Sequence, residues 1–316
     1  MGRFLARRAA TMIGVLLIVS AMAFSIILLL PGDPALAILG DQQVRDQQLY
    51  RLLRAELGLD RPIPVQFARW VARAGRGDLG KSVRTGHSVL GLVLQRLAPT
   101  IQLSLQAMLL AVCIALPVGI LSAARPNSRA DAIASFLAMG GVGIPHFLLG
   151  ILLIYLFAVW LRWLPPSGYA APADSLGTNL RLMLLPTITL GLGLAAVLMR
   201  QVRSALLEVL RQEYVMTARA KGVAERGVVG AHALRNALIP VLTIIGLQTG
   251  RLFGGAVVVE TIFAIPGVGR LAVDSIFFRD FPVVQGVVLV LAIAVLLSNF
   301  ATDLLYAVVD PRVRVV

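Results

Sequence analysis

Residues 100–124 read TIQLSLQAMLLAVCIALPVGILSAA, a run of 25 residues without a charged side chain. A helix rises about 1.5 Å per residue, so about 20 apolar residues are enough to cross the hydrocarbon core of a bilayer. Lipid offers no hydrogen-bond partners, and a helix satisfies all of its polar backbone groups within one segment. The run therefore predicts a transmembrane helix.

The whole chain has the same character as this run. Of its 316 residues, 58% are hydrophobic, and its mean hydropathy is +0.85. One water-soluble domain of this length could not bury so much apolar sequence. A single cysteine, Cys113, also excludes a disulfide scaffold. Six runs are long enough to span, at residues 9–30, 100–124, 132–160, 182–199, 238–263 and 282–306.

The first and third runs differ from a simple membrane-spanning segment. The first follows basic residues, like a secretory signal, but its 22 apolar residues exceed the usual 7–15, so we expect a retained anchor. The third is overlong and contains Gly140, Gly141, Gly143 and Pro145, which predicts a kink or a steep tilt.

The formal net charge of +13 does not come from one basic patch. Lys and Arg lie in short groups between the apolar runs, which is typical of loops at lipid headgroups and not of a nucleic-acid-binding surface. Residues 31–98 form a segment too long for the positive-inside rule. With that segment left aside, 14 basic residues lie on the side of the N-terminus and 4 on the other. We therefore expect both termini in the cytoplasm and residues 31–98 outside.

Residues 75–82 read GRGDLGKS and fit the phosphate-binding pattern G-x-x-x-x-G-K-[ST]. That loop needs a strand before it and a helix after it, whereas residues 65–74 have helical spacing and the predicted topology places them outside. The match is interpreted as spurious, and the chain is not expected to hydrolyse ATP. The three histidines, His87, His146 and His232, are far apart in sequence, and no metal or catalytic cluster is predicted.

The loop after the fourth run carries the most specific pattern. EYVMTARAKG at residues 213–222, then His232, Arg235, Asn236 and Pro240, resembles the coupling loop of binding-protein-dependent ABC import permeases, most closely the dipeptide/oligopeptide/nickel branch. Further similar stretches occur in order along the chain. They are LPGDP at 30–34, ELGLD at 56–60, GDLG at 77–80, VVVE at 257–260, PGVG at 266–269, Arg279–Asp280, Asp303, Tyr306 and DPR at 310–312.

The resemblance implies an all-α polytopic membrane protein of the type I importer fold. It implies an N-terminal helix with an external cap over residues 1–98, a permease core over 99–306 with a cytoplasmic coupling loop at 200–237, and a cytoplasmic tail at 307–316. The partners it implies are a second homologous permease, two cytoplasmic ATPases that hold ATP and magnesium, and an external solute-binding protein. This chain itself would carry no cofactor and no catalytic residue.

The coupling loop is interpreted as an elbow against the ATPase. No helix breaker occurs between Leu194 and Lys221, so we expect the fourth helix to continue to Lys221 and to stop at Gly222. A short second helix over about 225–234 would follow. The candidate ATPase-coupling residues are Glu213, Thr217, Ala218, Arg219, Ala220, Lys221, Gly222, His232, Arg235 and Asn236.

The fifth run has two informative faces. Gly246, Gly250 and Gly254 repeat every fourth residue, which allows another helix to approach closely. Gln248 and Arg251 share a different face. Arg251 lies near the middle of the run, where an unpaired charge costs at least about 2.5–3.5 kcal/mol. Either it lines the translocation path and attracts a peptide carboxylate, or it pairs with a carboxylate of the partner permease.

Asn299 and Asp303 lie one turn apart on the sixth run and are further candidates for the path, although a structural pairing with nearby arginines explains them as well. Three alternatives remain at this stage: an ion-gradient-driven secondary transporter, a nickel-chelate importer permease of the same family, and a membrane scaffold that transports nothing. The sequence does not separate dipeptides, longer peptides, glutathione-like peptides and nickel complexes as substrates.

Overall fold

The computed structural model of the chain describes residues 2–29, 50–51, 54 and 60–309. The motif at 30–34, most of the one at 56–60 and the tail motif at 310–312 lie outside the described residues. In the part that is described, the only β pairing is the isolated antiparallel bridge between Lys81 and Ser88. The all-α prediction is confirmed.

Helices make up most of the described residues. In chain order they are α1 (Gly2–Leu29), α2 (Ile63–Ala74), α3 (Val89–Ala124), α4 (Arg129–Gly143), α5 (His146–Leu153), α6 (Leu176–Leu210), α7 (Glu213–Ala220), α8 (Glu225–Gly227), α9 (Leu234–Ile262), α10 (Val268–Phe277) and α11 (Phe281–Val309). Helix α5 continues as the π-helix Ile154–Trp160, and α8 continues as the π-helix Val228–Ala233.

Five of the described helices are long and apolar enough to cross a bilayer, and the bent pair α4–α5 makes a sixth if it counts as one span. The break lies at Ile144 and Pro145, where the backbone is extended, and the two arms differ in direction by 103°. Proline cannot continue the hydrogen-bond ladder of α4, and it disfavours the helical conformation of the residue before it. The kink predicted in the third run is therefore a full break.

The predicted course of the fourth helix is wrong at its far end. Helix α6 ends at Leu210, a turn at Arg211 and Gln212 follows, and α7 begins at Glu213. No local breaker causes this turn. It allows Val215 of α7 to fold back into the same apolar cluster as Leu206 and Leu210. Burial of those side chains therefore overrides the local helix propensity.

The chain divides into two compact units. Among the described residues, one unit comprises 99–266 and 295–309 and is called the core unit here, and the other comprises the described part of 2–98 together with 267–294. Helix α6 is the centre of the core unit, because most of its length is buried against α3, α4, α5 and α9.

The glycine repeat of α9 marks a close helix contact inside the core unit. A Cβ atom on Gly246 would collide with the side chain of Thr302 on α11, and one on Gly250 would touch Asn299 at 3.4 Å. Gly254 has no described neighbour within 4 Å of the same position. The expected close approach of a second helix is thus seen at two of the three glycines.

In the second unit, α2, the start of α3 and the start of α11 share an apolar cluster that includes Trp70, Val89 and Val283. A buried carboxylate fastens the loop between α2 and α3, since Asp280 accepts the Ser82 hydroxyl at 2.5 Å and the Val83 N–H at 3.1 Å. The phosphate-loop match ends at this Ser82. A helix precedes the match, and α3 begins only at Val89, so the segment is not arranged as a strand–loop–helix.

Replacing Gly246 with Ala should destabilise the chain by about 1–3 kcal/mol, because the added methyl group overlaps Thr302 and the helices must move apart. Thermal unfolding of the purified chain in mild detergent measures this. Gly254→Ala, on the same helix with open space, is the control and should be neutral or slightly stabilising. Equal midpoints for the two variants would show that α9 and α11 do not pack through Gly246.

Candidate functional site

The segment between α6 and α9 folds into a compact hook, called the elbow here (residues 211–233). Helix α7 leads out of the turn at Arg211 and Gln212, and α8 with its π-helical continuation leads back to α9. The inner face of this hook is apolar. Val215, Ala218, Val228, Val229 and Ala233 are buried together with Leu206 and Leu210 of α6 and Ala123 of α3.

Gly222 forms the corner between the two arms of the elbow. Its φ of +79° lies in the left-handed region, which glycine adopts without a Cβ clash. Its N–H donates to the carbonyl oxygen of Arg219 at 2.9 Å, and the Val223 N–H donates to that of Ala218 at 3.2 Å. This pair of bonds is a Schellman motif, so the predicted helix stop at Gly222 is confirmed, although the helix it ends is α7 and not the transmembrane helix.

Two polar contacts hold the arms of the elbow in place. Arg219 binds Glu225 through both carboxylate oxygens, at 2.6 and 3.1 Å. These hydrogen bonds raise the pKa of the Arg219 guanidinium further above its usual value, so the guanidinium stays protonated. At the other end, the Asn236 side chain donates to the Tyr214 hydroxyl at 2.7 Å, which ties α9 to α7.

Most of the predicted coupling residues lie on the exposed side of the elbow or at the start of α9. The exposed ones are Glu213, Thr217, Arg219, Ala220, Lys221, Gly222, His232, Arg235 and Asn236. Ala218 differs, because its side chain faces the apolar cluster. The elbow thus exposes polar and small residues on its outer side, while its inner side packs into the apolar cluster with α6.

An ion pair with a buried carboxylate lies about two helical turns before this hook. Arg203 of α6 binds both carboxylate oxygens of Asp131 on α4, at 2.7 and 2.8 Å, and the Ser122 hydroxyl donates to the same carboxylate. The Asn127 N–H adds a fourth bond at 2.9 Å. Arg203 therefore joins α3, α4 and α6. Its place in the sequence suggested a residue of the charged coupling loop at 200–237, but it lies on the helix α6.

A second site is an open cavity of the core unit at the break between α4 and α5, where the Arg251 side chain is exposed. It is a cavity of about 270 Å³ whose polar lining consists of His146, Gln248 and Arg251. The Arg251 guanidinium donates to the Gln248 side-chain oxygen at 3.3 Å, which confirms that the two residues share a face of α9. The remaining lining is Gly141, Val142, Ile144, Pro145, Leu190, Gly193, Leu194, Val197, Leu252 and Gly255.

The four residues suggested for the translocation path are not all brought together. Gln248 and Arg251 line this cavity. Asn299 packs at Gly250, on the side of α9 that meets α11, and Asp303 lies half-buried one turn further along α11.

Several residues of both sites were missed by the sequence analysis. Tyr214 entered only as part of the motif at 213–222 and Glu225 only as the start of an expected short helix, yet their side chains make the polar contacts that hold the elbow. His146 was set aside as an isolated histidine. The one signal that could have pointed to it is its position directly after Pro145 inside an apolar run, where a helix break exposes polar backbone.

Comparison with known proteins identifies the architecture. Residues 115–315 match the family described as binding-protein-dependent transport system inner membrane component, and residues 1–104 match the N-terminal region of such membrane components. The chain belongs to this family. The family named from the coupling-loop motif is confirmed.

Curated relatives match this permease along nearly its whole length. It is 42% identical over 316 residues to a protein of Brucella ovis named as a peptide permease, with 99% of each chain covered. It is also 42% identical over 311 residues to the glutathione transport system permease protein GsiC of Escherichia coli, with 98% of each covered.

Solved structures agree on the fold. The MetNI methionine ABC transporter in an inward-facing conformation matches with a TM-score of 0.57 at 21% identity, over 69% of this chain and 96% of that one. A chain of an amino acid ABC transporter matches with a TM-score of 0.51 at 16% identity, over 70% and 94%. The permease thus has the type I importer fold, as predicted, and is a multi-pass membrane protein.

The two ion pairs near the elbow should differ in their effect on stability. Asp131→Asn should lower the free energy of unfolding by about 3 kcal/mol, because it leaves the Arg203 charge without its buried partner. Glu225→Gln should cost less than about 1 kcal/mol, since that pair is solvent-exposed. Denaturant titration of both variants in detergent measures the difference, and equal losses would contradict it.

Proposed function

We propose that this permease forms the translocation path of an ATP-driven importer for peptides or related small solutes. Support comes from relatives that match it end to end and are named as peptide and glutathione permeases. In this proposal ATP and magnesium are bound by separate ATPase subunits, and the chain itself needs no cofactor.

The structural support for this proposal is the elbow. A surface that transmits force must be stiff, and this one is fixed by a buried apolar cluster, a Schellman corner and the Arg219–Glu225 pair. Its anchor points, Leu206 and Leu210, belong to α6, and its end continues directly into α9. A push by the ATPases on the exposed side of the elbow would therefore tilt α6 and α9, two of the helices that line the cavity at Arg251.

This role fixes the proposed orientation and partners. The elbow and both termini face the cytoplasm of a cell whose inner membrane holds the permease, in agreement with the excess of basic residues on that side. Two ATPase subunits bind there, a second homologous permease completes the path, and a solute-binding protein delivers the solute from outside.

The test is to purify the chain from its native membrane in mild detergent, identify the co-purifying proteins by mass spectrometry, and reconstitute the complex into liposomes. We expect a second permease and one or two ATPases, and solute uptake that needs ATP and persists when ionophores abolish the ion gradients. Recovery of the chain alone, or uptake that follows an ion gradient, would overturn the proposal. The dipeptide Ala-Ala is the solute used in this assay. Uptake of a nickel chelate, and not of Ala-Ala, would assign the alternative substrate.

Gly222→Val should uncouple ATP hydrolysis from transport. A β-branched residue at positive φ is strained by more than about 1 kcal/mol, so the corner of the elbow must change its course. The number of solute molecules imported per ATP hydrolysed should fall several-fold in reconstituted liposomes, while assembly is kept.

Gly230→Val is the matched control. Gly230 lies in the same elbow, and an added Cβ meets nothing there, as at Gly222, but its φ is not positive. The control should keep the coupling ratio of the wild type. The same ratio in all three proteins would show that the corner does not transmit the ATPase motion.

A further inference from the structure

The cavity at the α4–α5 break combines groups that an apolar membrane interior rarely contains. Arg251 brings a permanent positive charge, because a guanidinium is not deprotonated in proteins. Gln248 is buried except for 6% of its surface, and its oxygen already accepts a hydrogen bond from Arg251. The amide N–H groups of Gln248 therefore remain as donors next to the arginine.

No described carboxylate compensates the charge of Arg251. Among the residues that the structure covers, its only polar partner is Gln248, and the described ion pairs involve other residues. A charge at this depth requires either water or a counter-charge. The lining of the cavity contains no acidic side chain that could supply one.

His146 is held at the edge of the same cavity by two glycines. A Cβ atom on Gly193 would collide with the imidazole Cε1 at 2.6 Å, and one on Gly255 would lie 3.9 Å from Cδ2. The ring thus occupies a slot between α6 and α9 that exists only because side chains are missing there. Its Nδ1 is buried and has no hydrogen-bond partner among the described residues. A buried polar atom in this state is unfavourable until a ligand or a water molecule pairs with it.

The backbone adds positive potential at the same place. His146 is the first residue of α5, and the first N–H groups of a helix have no acceptor within the helix. The helix dipole makes this end partly positive. Broken helices in other transporters direct such ends at anionic groups of their substrates. Together with Arg251 this produces an electropositive cavity whose apolar lining includes Leu190, Leu194 and Leu252.

We propose that this cavity binds a carboxylate of the transported solute, with Arg251 and Gln248 as its ligands and His146 as a further donor. The inference rests on the proposed function, since it names the group of the solute that this path recognises. The volume of about 270 Å³ is just below the usual range for small-molecule sites, about 300–1,000 Å³. It therefore fits one end of a peptide, a carboxylate with its adjoining side chain against the leucines, and the remainder of the solute extends along the path.

The test compares a dipeptide with its own amide. Ala-Ala and Ala-Ala amide differ only in the C-terminal carboxylate. Their binding to the assembled complex in lipid nanodiscs, without the solute-binding protein, is measured by saturation-transfer NMR titration. The wild type should bind Ala-Ala at least tenfold more tightly than the amide. Arg251→Leu should reduce the affinity for Ala-Ala to that for the amide and leave the amide unchanged.

Further variants separate charge from packing. Arg251→Lys should retain part of the preference, because lysine keeps the charge but not the two-pronged geometry. Gln248→Leu and His146→Phe should each weaken Ala-Ala binding by a smaller factor. Thr249→Val, on the same helix, is the control and should bind as the wild type does, since the Thr249 hydroxyl is bound to its own helix at Ile245.

The outcomes distinguish a solute carboxylate from one on the partner permease. If Arg251→Leu weakens both probes equally, or lowers the amount of second permease that co-purifies, Arg251 serves assembly and the inference is overturned. Failure of the wild type to bind either probe overturns it too. The proposed function fails separately, if wild-type liposomes with the solute-binding protein show no ATP-dependent uptake.

Discussion

The close packing of helices around α6 is the constraint on which the rest of this structure depends. Helices in lipid gain little from the hydrophobic effect when they associate, so they need close backbone approach and interhelical polar contacts. Small residues supply that approach on every side of α6. The contacts join Gly119 to Val202, Gly141 to Ala196, Gly191 to Leu110, Gly193 to His146 and Gly255 to Leu190. The ring of His146 occupies the slot that Gly193 of α6 and Gly255 of α9 leave open.

Both candidate sites depend on this packing. At one end of α6, the apolar cluster around Leu206 and Leu210 anchors the elbow, and the Asp131–Arg203 pair joins α6 to α4. Midway along, the break at Pro145 and the glycines of α6 and α9 leave a polar cavity in the core unit. Because α6 and α9 belong to both regions, a movement of the elbow is expected to change the shape of the cavity. That is the mechanical link which an ATP-driven importer needs.

The division of labour among the charged residues follows from burial. Arg203 and Arg219 are both bound to a carboxylate by two hydrogen bonds, but Asp131 is buried and Glu225 is exposed. The first pair therefore stabilises the packing of three helices strongly, and the second joins the arms of the elbow with a weaker, solvent-exposed contact. Arg251 differs from both, because the described residues leave its charge uncompensated, and this is why it points to a ligand.

The sequence by itself determined the membrane class, the spans, the family and the helix stop at Gly222. Long uncharged runs, basic asymmetry and a glycine at a helix end are local features whose physical meaning does not depend on distant residues. Only the tertiary structure decided that α6 ends at Leu210, that Arg203 is paired, that Asn299 packs at Gly250 and that His146 joins Arg251 in one cavity. Each of these features depends on contacts between side chains of different helices. Helical periodicity shows which residues of one helix share a face, but not which residues of another helix that face contacts.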